Sequence, residues 1–186
     1  MPYSRILVSR EQLERIVSGL AGEIRSAYQG VDPCLALVVL DGAKSFAEDL
    51  LAQLDLPFAV ETITSSSYSG THSTGTVTLD EKDGIPEKVR GKHILLIDDI
   101  YDTGLTLSHI LKWLSDCEPA TVKTCVLLEK EVEHANTIDI DFLGTTIADV
   151  FAIGYGLDYE GRYRELPFIA ELSADIVHQQ GRAAQP

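Results

Sequence analysis

The sequence predicts an α/β architecture built on a mostly parallel sheet. Two observations carry this: continuous apolar runs such as CLALVVL (34–40) and HILLI (93–97), and segments of helical period lying between such runs. A run that is apolar at every position reads as a strand covered on both faces, which is the usual state of parallel strands. A chain of 186 residues is enough for one well-cored domain.

Each element follows in order. From Ser9 to Tyr28 the residues Leu13, Ile16, Val17, Leu20, Ile24 and Tyr28 recur at helical spacing. Ser9 with Gln12 forms a capping box at the start of this helix, and Gly30 stops it. CLALVVL is the first buried strand. Ser45 and Glu48 read as the cap of a second helix, with Phe46, Leu50, Leu51 and Leu54 on its apolar side. FAVETI (58–63), after Pro57, is the next strand, and HILLI the third. LTLSHILKWLSD (105–116) is a helix, TVKTCVLL (121–128) a fourth strand and DVFAI (149–153) a fifth. No internal repeat is visible. Residues 1–178 are expected to form one domain, followed by a frayed polar tail at 179–186. One segment stands apart. In TSSSYSGTHSTGT (64–76), nine of thirteen residues are Ser or Thr and none is a large aliphatic, as in a hairpin tip or a lid.

Composition narrows the function. The formal net charge of -14 argues against a general nucleic-acid or anionic-membrane binder. No apolar run approaches the ~18 residues that span a bilayer, and the N-terminus lacks a signal-peptide pattern. Cys34, Cys117 and Cys125 are an odd, unpaired set, which fits a reducing cytoplasm. The five histidines are scattered, with no metal-ligand spacing.

The chemistry concentrates in ILLIDDIYDTG (94–104), where three aspartates follow a buried strand directly. Ligands of open α/β sheets bind at the carboxyl ends of strands. Asp98 and Asp99 are expected at such an end, and Asp102, Thr103, Gly104, Leu105 and Thr106 form a turn into a helix. That turn offers backbone N–H groups, two hydroxyls and a helix N-terminus, which together suit a phosphate monoester. The Gly-Lys-Ser/Thr of a Walker loop is missing, and two carboxylates stand in its place. Carboxylates beside a phosphate make sense if they accept hydrogen bonds from sugar hydroxyls or reach the phosphate through Mg²⁺. A phosphorylated ribose is therefore the implied ligand.

IDDIYDTGLT resembles the 5-phosphoribosyl-1-pyrophosphate (PRPP) motif of type I phosphoribosyltransferases. Three more segments, in order, resemble the hypoxanthine-guanine members of that family. LVVLDGAKSF is similar to their pyrophosphate loop, SSYSGTHSTG to their flexible lid, and VFAIGYGLDYEGRYRELP to their purine-recognition segment. The four segments span residues 37–167. The resemblance implies a type I phosphoribosyltransferase fold, with a small hood from the N- and C-terminal segments and a lid at about 64–76.

The resemblance also assigns roles. Asp98 and Asp99 would hold the ribose hydroxyls, and Asp102 to Thr106 the 5-phosphate. Phe151 would stack on the purine, the Ala152 backbone would bond its edge, and Lys130 would donate to the exocyclic O6, selecting 6-oxopurines over adenine. Asp41, Gly42, Ser67, Tyr68 and Arg164 would contact pyrophosphate. Asp158 would hold Mg²⁺, the implied cofactor, through water. Asp102 would act as general base at purine N7. Taken singly, Phe151 reads as core, Lys130 as a solvated lysine, and Asp158 with Arg164 as a surface ion pair. Tyr155, between two glycines, receives no site role.

The implied reaction is purine salvage. PRPP and hypoxanthine or guanine give IMP or GMP and pyrophosphate, in a homodimer or homotetramer that binds neither nucleic acid nor membrane. Two alternatives stand beside it: a xanthine-preferring transferase, and a non-catalytic PRPP-sensing regulator that binds nucleic acid. The sequence departs from the family at two places. Asp41 stands where many relatives have lysine, and it can keep the loop's backbone role toward pyrophosphate only if its side chain points away. EKEVEHA replaces a basic or proline-containing stretch and puts His134 where some relatives have an arginine that supports the lysine.

Overall fold

The computed structural model describes residues 1–64, 84–132 and 134–176, together with the backbone of 68–69 and 72–73. Its central sheet has five strands in the order β3 (Ala59–Thr64), β2 (Cys34–Leu40), β6 (His93–Tyr101), β7 (Thr121–Lys130), β8 (Phe142–Ile147). All four neighbouring pairs are parallel. The helices are α1 (Arg10–Tyr28), α2 (Lys44–Leu54), the short α3 (Ile85–Val89) and α4 (Leu105–Asp116).

The continuous apolar runs serve two cores at once. Along β2, Ala36 and Val38 join a cluster with Leu13, Val17, Leu20 and Ile24 of α1 and with Phe46 and Leu50 of α2. Leu35, Leu37 and Val39 point the other way, into a cluster with Ile85 and Val89 of α3 and Leu107, Ile110 and Leu114 of α4. The period-2 alternation of a strand thus covers both faces, which is why neither face tolerates a polar residue. The α1 capping box forms as its spacing predicts. Ser9 Oγ accepts from the Gln12 N–H, and the Gln12 side chain accepts from the Ser9 N–H at 2.8 Å. Gly30 follows the helix at φ 76°, the left-handed stop that glycine allows.

Four expectations need correction. Helix α2 begins at Lys44 with Ala43 as its N-cap and no side-chain cap bond, so Ser45 lies inside the helix. Strand β6 runs through both aspartates to Tyr101, so the acidic pair sits within the strand and not beyond it. The fifth strand of the main sheet is β8; only Ala152–Ile153 (β9) of the DVFAI stretch is extended. Strand β9 belongs instead to a separate antiparallel sheet, ordered β1 (Tyr3–Val8), β10 (Ile169–Leu172), β9. Two-residue strands β4 (Tyr68–Ser69) and β5 (His72–Ser73) pair within the Ser/Thr-rich segment. Most of that segment, and the tail at 179–186, lie outside the described residues.

The strand order creates the site's location. After β2 the chain moves outward to β3, then returns to the other side of β2 as β6 and continues outward to β7 and β8. The order therefore reverses between β2 and β6, and a crevice opens at their carboxyl ends. Residues 41–43 follow β2 there, and residues 102–104 follow β6.

Candidate active site

Asp98 is 3% exposed and its Oδ1 accepts from the Asp99 N–H at 3.0 Å. Burial, and then the charge of Asp99, hold the Asp98 carboxyl well above the usual carboxylate range. Burial raises Asp99 as well, while the Asp98 hydrogen bond and the Arg164 charge pull it back down. A buried carboxylate with a partly buried one beside it does not ionise readily without a partner. Groups donating into the pair, such as the hydroxyls of a sugar, would offset that cost.

The turn that follows is shaped by Gly104. It is the N-cap of α4 at φ 79°, its carbonyl accepts from Ser108, and a Cβ there would overlap the Asn136 carbonyl. Only glycine lets the 102–106 backbone run this close to the 134–138 segment. Leu105 N–H reaches Thr103 Oγ1 at 3.4 Å. The head of this twelve-residue helix is where the sequence expectation places the 5-phosphate.

Lys130 is the last residue of β7, and its side chain is 12% exposed. Its Nζ lies 2.8 Å from Asp102 Oδ2 and 3.5 Å from Asp149 Oδ1. It is therefore an enclosed, paired lysine and not the solvated one that EKEVEH alone would indicate. Phe151 precedes β9, packs against the small sheet's core and meets Tyr159 edge-on at 5.3 Å. Ala152 is buried in β9, where it pairs with Glu171.

The other cluster gathers around Arg164. This guanidinium donates to the Gly156 carbonyl at 2.5 Å, lies 2.8 Å from Asp158 Oδ1 and 3.8 Å from Asp41 Oδ2. Asp158 also accepts from the Gly161 N–H at 2.6 Å. The Leu40–Asp41 peptide is cis, and the Asp41 side chain is 69% exposed. Gly42 lies against Asp99, since a Cβ on it would overlap that carboxylate, and its carbonyl occupies the space a Cβ on Gly156 would need. Asp41, Gly42, Asp99, Gly156, Asp158 and Arg164 thus form one contiguous surface across the β2–β6 crevice. Ser67 lies outside the described residues, and Tyr68 is described only as backbone in β4.

Asp158 can offer a hard carboxylate oxygen to Mg²⁺, an ion that commonly takes one or two carboxylates and completes its shell with phosphate and water. Among the described residues no three His, Cys, Asp or Glu side chains cluster as a cage. The donor set fits an ion shared with a phosphorylated ligand.

Three contributors have no signature in the sequence that would mark them. Tyr101 closes β6, donates to the Asn136 carbonyl at 2.6 Å and accepts from the Ile138 N–H at 3.0 Å, pinning that segment against the 102–106 turn. Asp149 is the second partner of Lys130. Tyr155, at φ 52°, donates to Asp49 Oδ2 at 2.5 Å and so ties the 154–156 turn to α2. The glycine on either side of Tyr155 is the nearest thing to a signal. A cleft of about 430 Å³ lined by Arg10, Leu13, Asp49, Tyr155 and Pro167 includes none of the predicted site residues.

Comparison with known proteins agrees with this geometry. The phosphoribosyl transferase domain family matches residues 6–160. The chain is 36% identical over 173 residues to the hypoxanthine-guanine-xanthine phosphoribosyltransferase of Tritrichomonas foetus, covering 92% of this chain and 93% of the relative. It is 38% identical over 173 residues to the hypoxanthine-guanine phosphoribosyltransferase of Bacillus subtilis, covering 92% and 94%. Among solved structures, a Staphylococcus aureus hypoxanthine phosphoribosyltransferase superposes with a TM-score of 0.86 at 31% identity, covering 94% of each chain. A Trypanosoma cruzi hypoxanthine phosphoribosyltransferase variant complexed with the product IMP superposes with a TM-score of 0.85 at 32% identity, covering 96% of each chain. With the acidic pair, the 102–106 turn and the 41–42 loop meeting at one crevice, the chain belongs to the type I phosphoribosyltransferases, in their hypoxanthine-guanine branch.

Proposed function

We propose that this enzyme transfers the 5-phosphoribosyl group of PRPP to N9 of a 6-oxopurine, hypoxanthine or guanine, giving IMP or GMP and pyrophosphate in purine salvage. The observation that carries the choice of base is the Lys130–Asp102 pair, a proton donor and a proton acceptor 2.8 Å apart beside the phosphate turn. A purine with O6 and a proton on N7 presents the matching acceptor and donor. Adenine presents an amino group to the lysine, and two donors then face each other.

Each residue has a physical task in this reading. Asp98 and Asp99 accept from the two ribose hydroxyls, which supply the donors their burial lacks. The 102–106 turn and the α4 N-terminus hold the 5-phosphate. As O6 engages Lys130, Asp102 is released from the ion pair and takes the N7 proton while N9 attacks C1. Phe151 offers an apolar ring to one face of the purine, and the Ala152 backbone bonds its edge. Arg164, with N–H groups of the 41–42 loop, receives the charge that develops on departing pyrophosphate. Asp158 would hold Mg²⁺ through water, and the ion would neutralise pyrophosphate charge. Ser67 and Tyr68 would close over the site and keep water from the oxocarbenium-like centre.

The hood is the β1–β10–β9 sheet, which carries Ala152 and supports Phe151. Three buried free thiols are in keeping with the reducing cytoplasm as the enzyme's location. Among the described residues no helix is long and apolar enough to cross a membrane. A homodimer or homotetramer is the proposed assembly. Hypoxanthine supplied with PRPP and Mg²⁺ should be converted to IMP with one pyrophosphate released per turnover. No nucleotide from any 6-oxopurine would overturn the proposal.

A further inference from the structure

Both ring nitrogens of His134 face atoms that can only accept. Nδ1 is hydrogen-bonded to the carbonyl oxygen of Asp102, and Nε2 lies 3.2 Å from Oε1 of Glu129. A neutral imidazole carries one N–H and satisfies one of these partners; the imidazolium satisfies both. The side chain is 13% exposed, so water is a poor substitute for either contact. The ring lies flat on Tyr101, with centroids 4.0 Å apart and planes 23° from parallel. Tyr101 is itself held by Asn136 and Ile138.

The charged groups around this ring come from several elements. Glu129 and Lys130 lie at the end of β7, Asp102 opens the phosphate turn, and Asp149 reaches Lys130 from beyond β8. Lys130 holds the Asp102 carboxylate while His134 holds the carbonyl of the same residue. Asp102 is thus gripped at both ends, by the side chains of Lys130 and His134, four residues apart.

We propose that His134, as its imidazolium, is a positioning residue that ties the first peptide of the 102–106 turn to Glu129 and so sets the Asp102 carboxylate and the phosphate-binding N–H groups in register. The proposal rests on the reading of Asp102 as the base. His134 touches no substrate in it. With a neutral ring, one of the two acceptors would face a bare nitrogen, and the turn would lose its tether.

The test compares wild type with His134→Phe, His134→Arg and Glu129→Gln. Phenylalanine keeps the stack on Tyr101 and removes both donors; arginine keeps several donors and a permanent charge. kcat and kcat/KM for PRPP would be followed from pH 6 to 9.5. In the wild type, ring ¹⁵N–¹H correlations of His134 would be recorded across the same pH range. His134→Phe should lower kcat/KM about tenfold at the pH of maximal turnover. Wild type should fall by a similar factor at alkaline pH, and His134→Arg should stay active without that fall. Glu129→Gln should move the fall to lower pH. Two protonated ring nitrogens support the tether without any reference to turnover, so wild-type inactivity with both protons present would sink the transferase reading alone. One bare ring nitrogen at full turnover, an unmoved fall in Glu129→Gln, or His134→Arg as impaired as His134→Phe would overturn the proposal.

Discussion

Lys130 Nζ and Asp102 Oδ2 are 2.8 Å apart and bridge the ends of two neighbouring parallel strands. While that pair is closed, a charge-assisted hydrogen bond occupies the carboxylate oxygen that faces Lys130. In the proposed reaction a carbonyl oxygen that draws the lysine away would free the carboxylate at the moment the base is in place. Lys130→Met should therefore lower kcat/KM for hypoxanthine by roughly 10²-fold and narrow its preference over adenine. Steady-state kinetics with both bases would check this, and an unchanged preference would remove Lys130 from base selection.

Asp102→Asn keeps the size of the side chain and the carbonyl that His134 contacts, but cannot accept the N7 proton. Turnover should fall by roughly 10²-fold or more while PRPP affinity, measured by calorimetry, stays close to wild type. Undiminished turnover would exclude Asp102 as the base.

Asp98 gives a prediction about stability with a defined sign. Its folded carboxyl is held well above the usual range by burial and then by Asp99. The folded chain therefore keeps a proton that the unfolded chain releases near pH ~4. The stability linked to that proton is present below this pH and is lost as pH rises through the folded value. Asn at 98 can still accept from the Asp99 N–H and has no charge to bury. Ligand-free Asp98→Asn should melt a few degrees above wild type at pH ~8, with the gap closing toward pH ~4. It should also bind PRPP more weakly. Equal melting temperatures at pH ~8 would contradict the burial cost assigned to the pair.

Gly156 sits at φ 104° with the Gly42 carbonyl where a Cβ would go. Gly156→Ala should cost roughly 1–3 kcal/mol in stability from the backbone conformation alone. It should also push the 41–42 loop from its place beside Asp99. Denaturation would read the first effect, and the KM for pyrophosphate in the reverse direction the second. A variant with wild-type stability and pyrophosphate KM would show that the contact has no such role.

Much of the fold and of the site is legible in the sequence. Residues 34–40 and 93–97 read as strands buried on both faces because both of their faces meet helices. The motif segments are legible because each is a stretch of consecutive residues. What the sequence hides is of two kinds. Strand β1 is half-exposed, with Arg5 and the 49% exposed Ile6 breaking any regular pattern, and β8 contains Gly144, so neither reads as a strand. The supporting contacts, such as Tyr155 with Asp49 and Lys130 with Asp149, join residues 106 and 19 positions apart. No local spacing encodes such pairs; the sheet order creates them.

Incubating the protein with PRPP and Mg²⁺ and with hypoxanthine, guanine, xanthine or adenine in turn, while following nucleotide formation, tests the central claim most directly. The Lys130–Asp102 geometry predicts nucleotide from hypoxanthine or guanine at a rate far above that from adenine. Nucleotide from adenine at a comparable rate, or from none of the four, would contradict it.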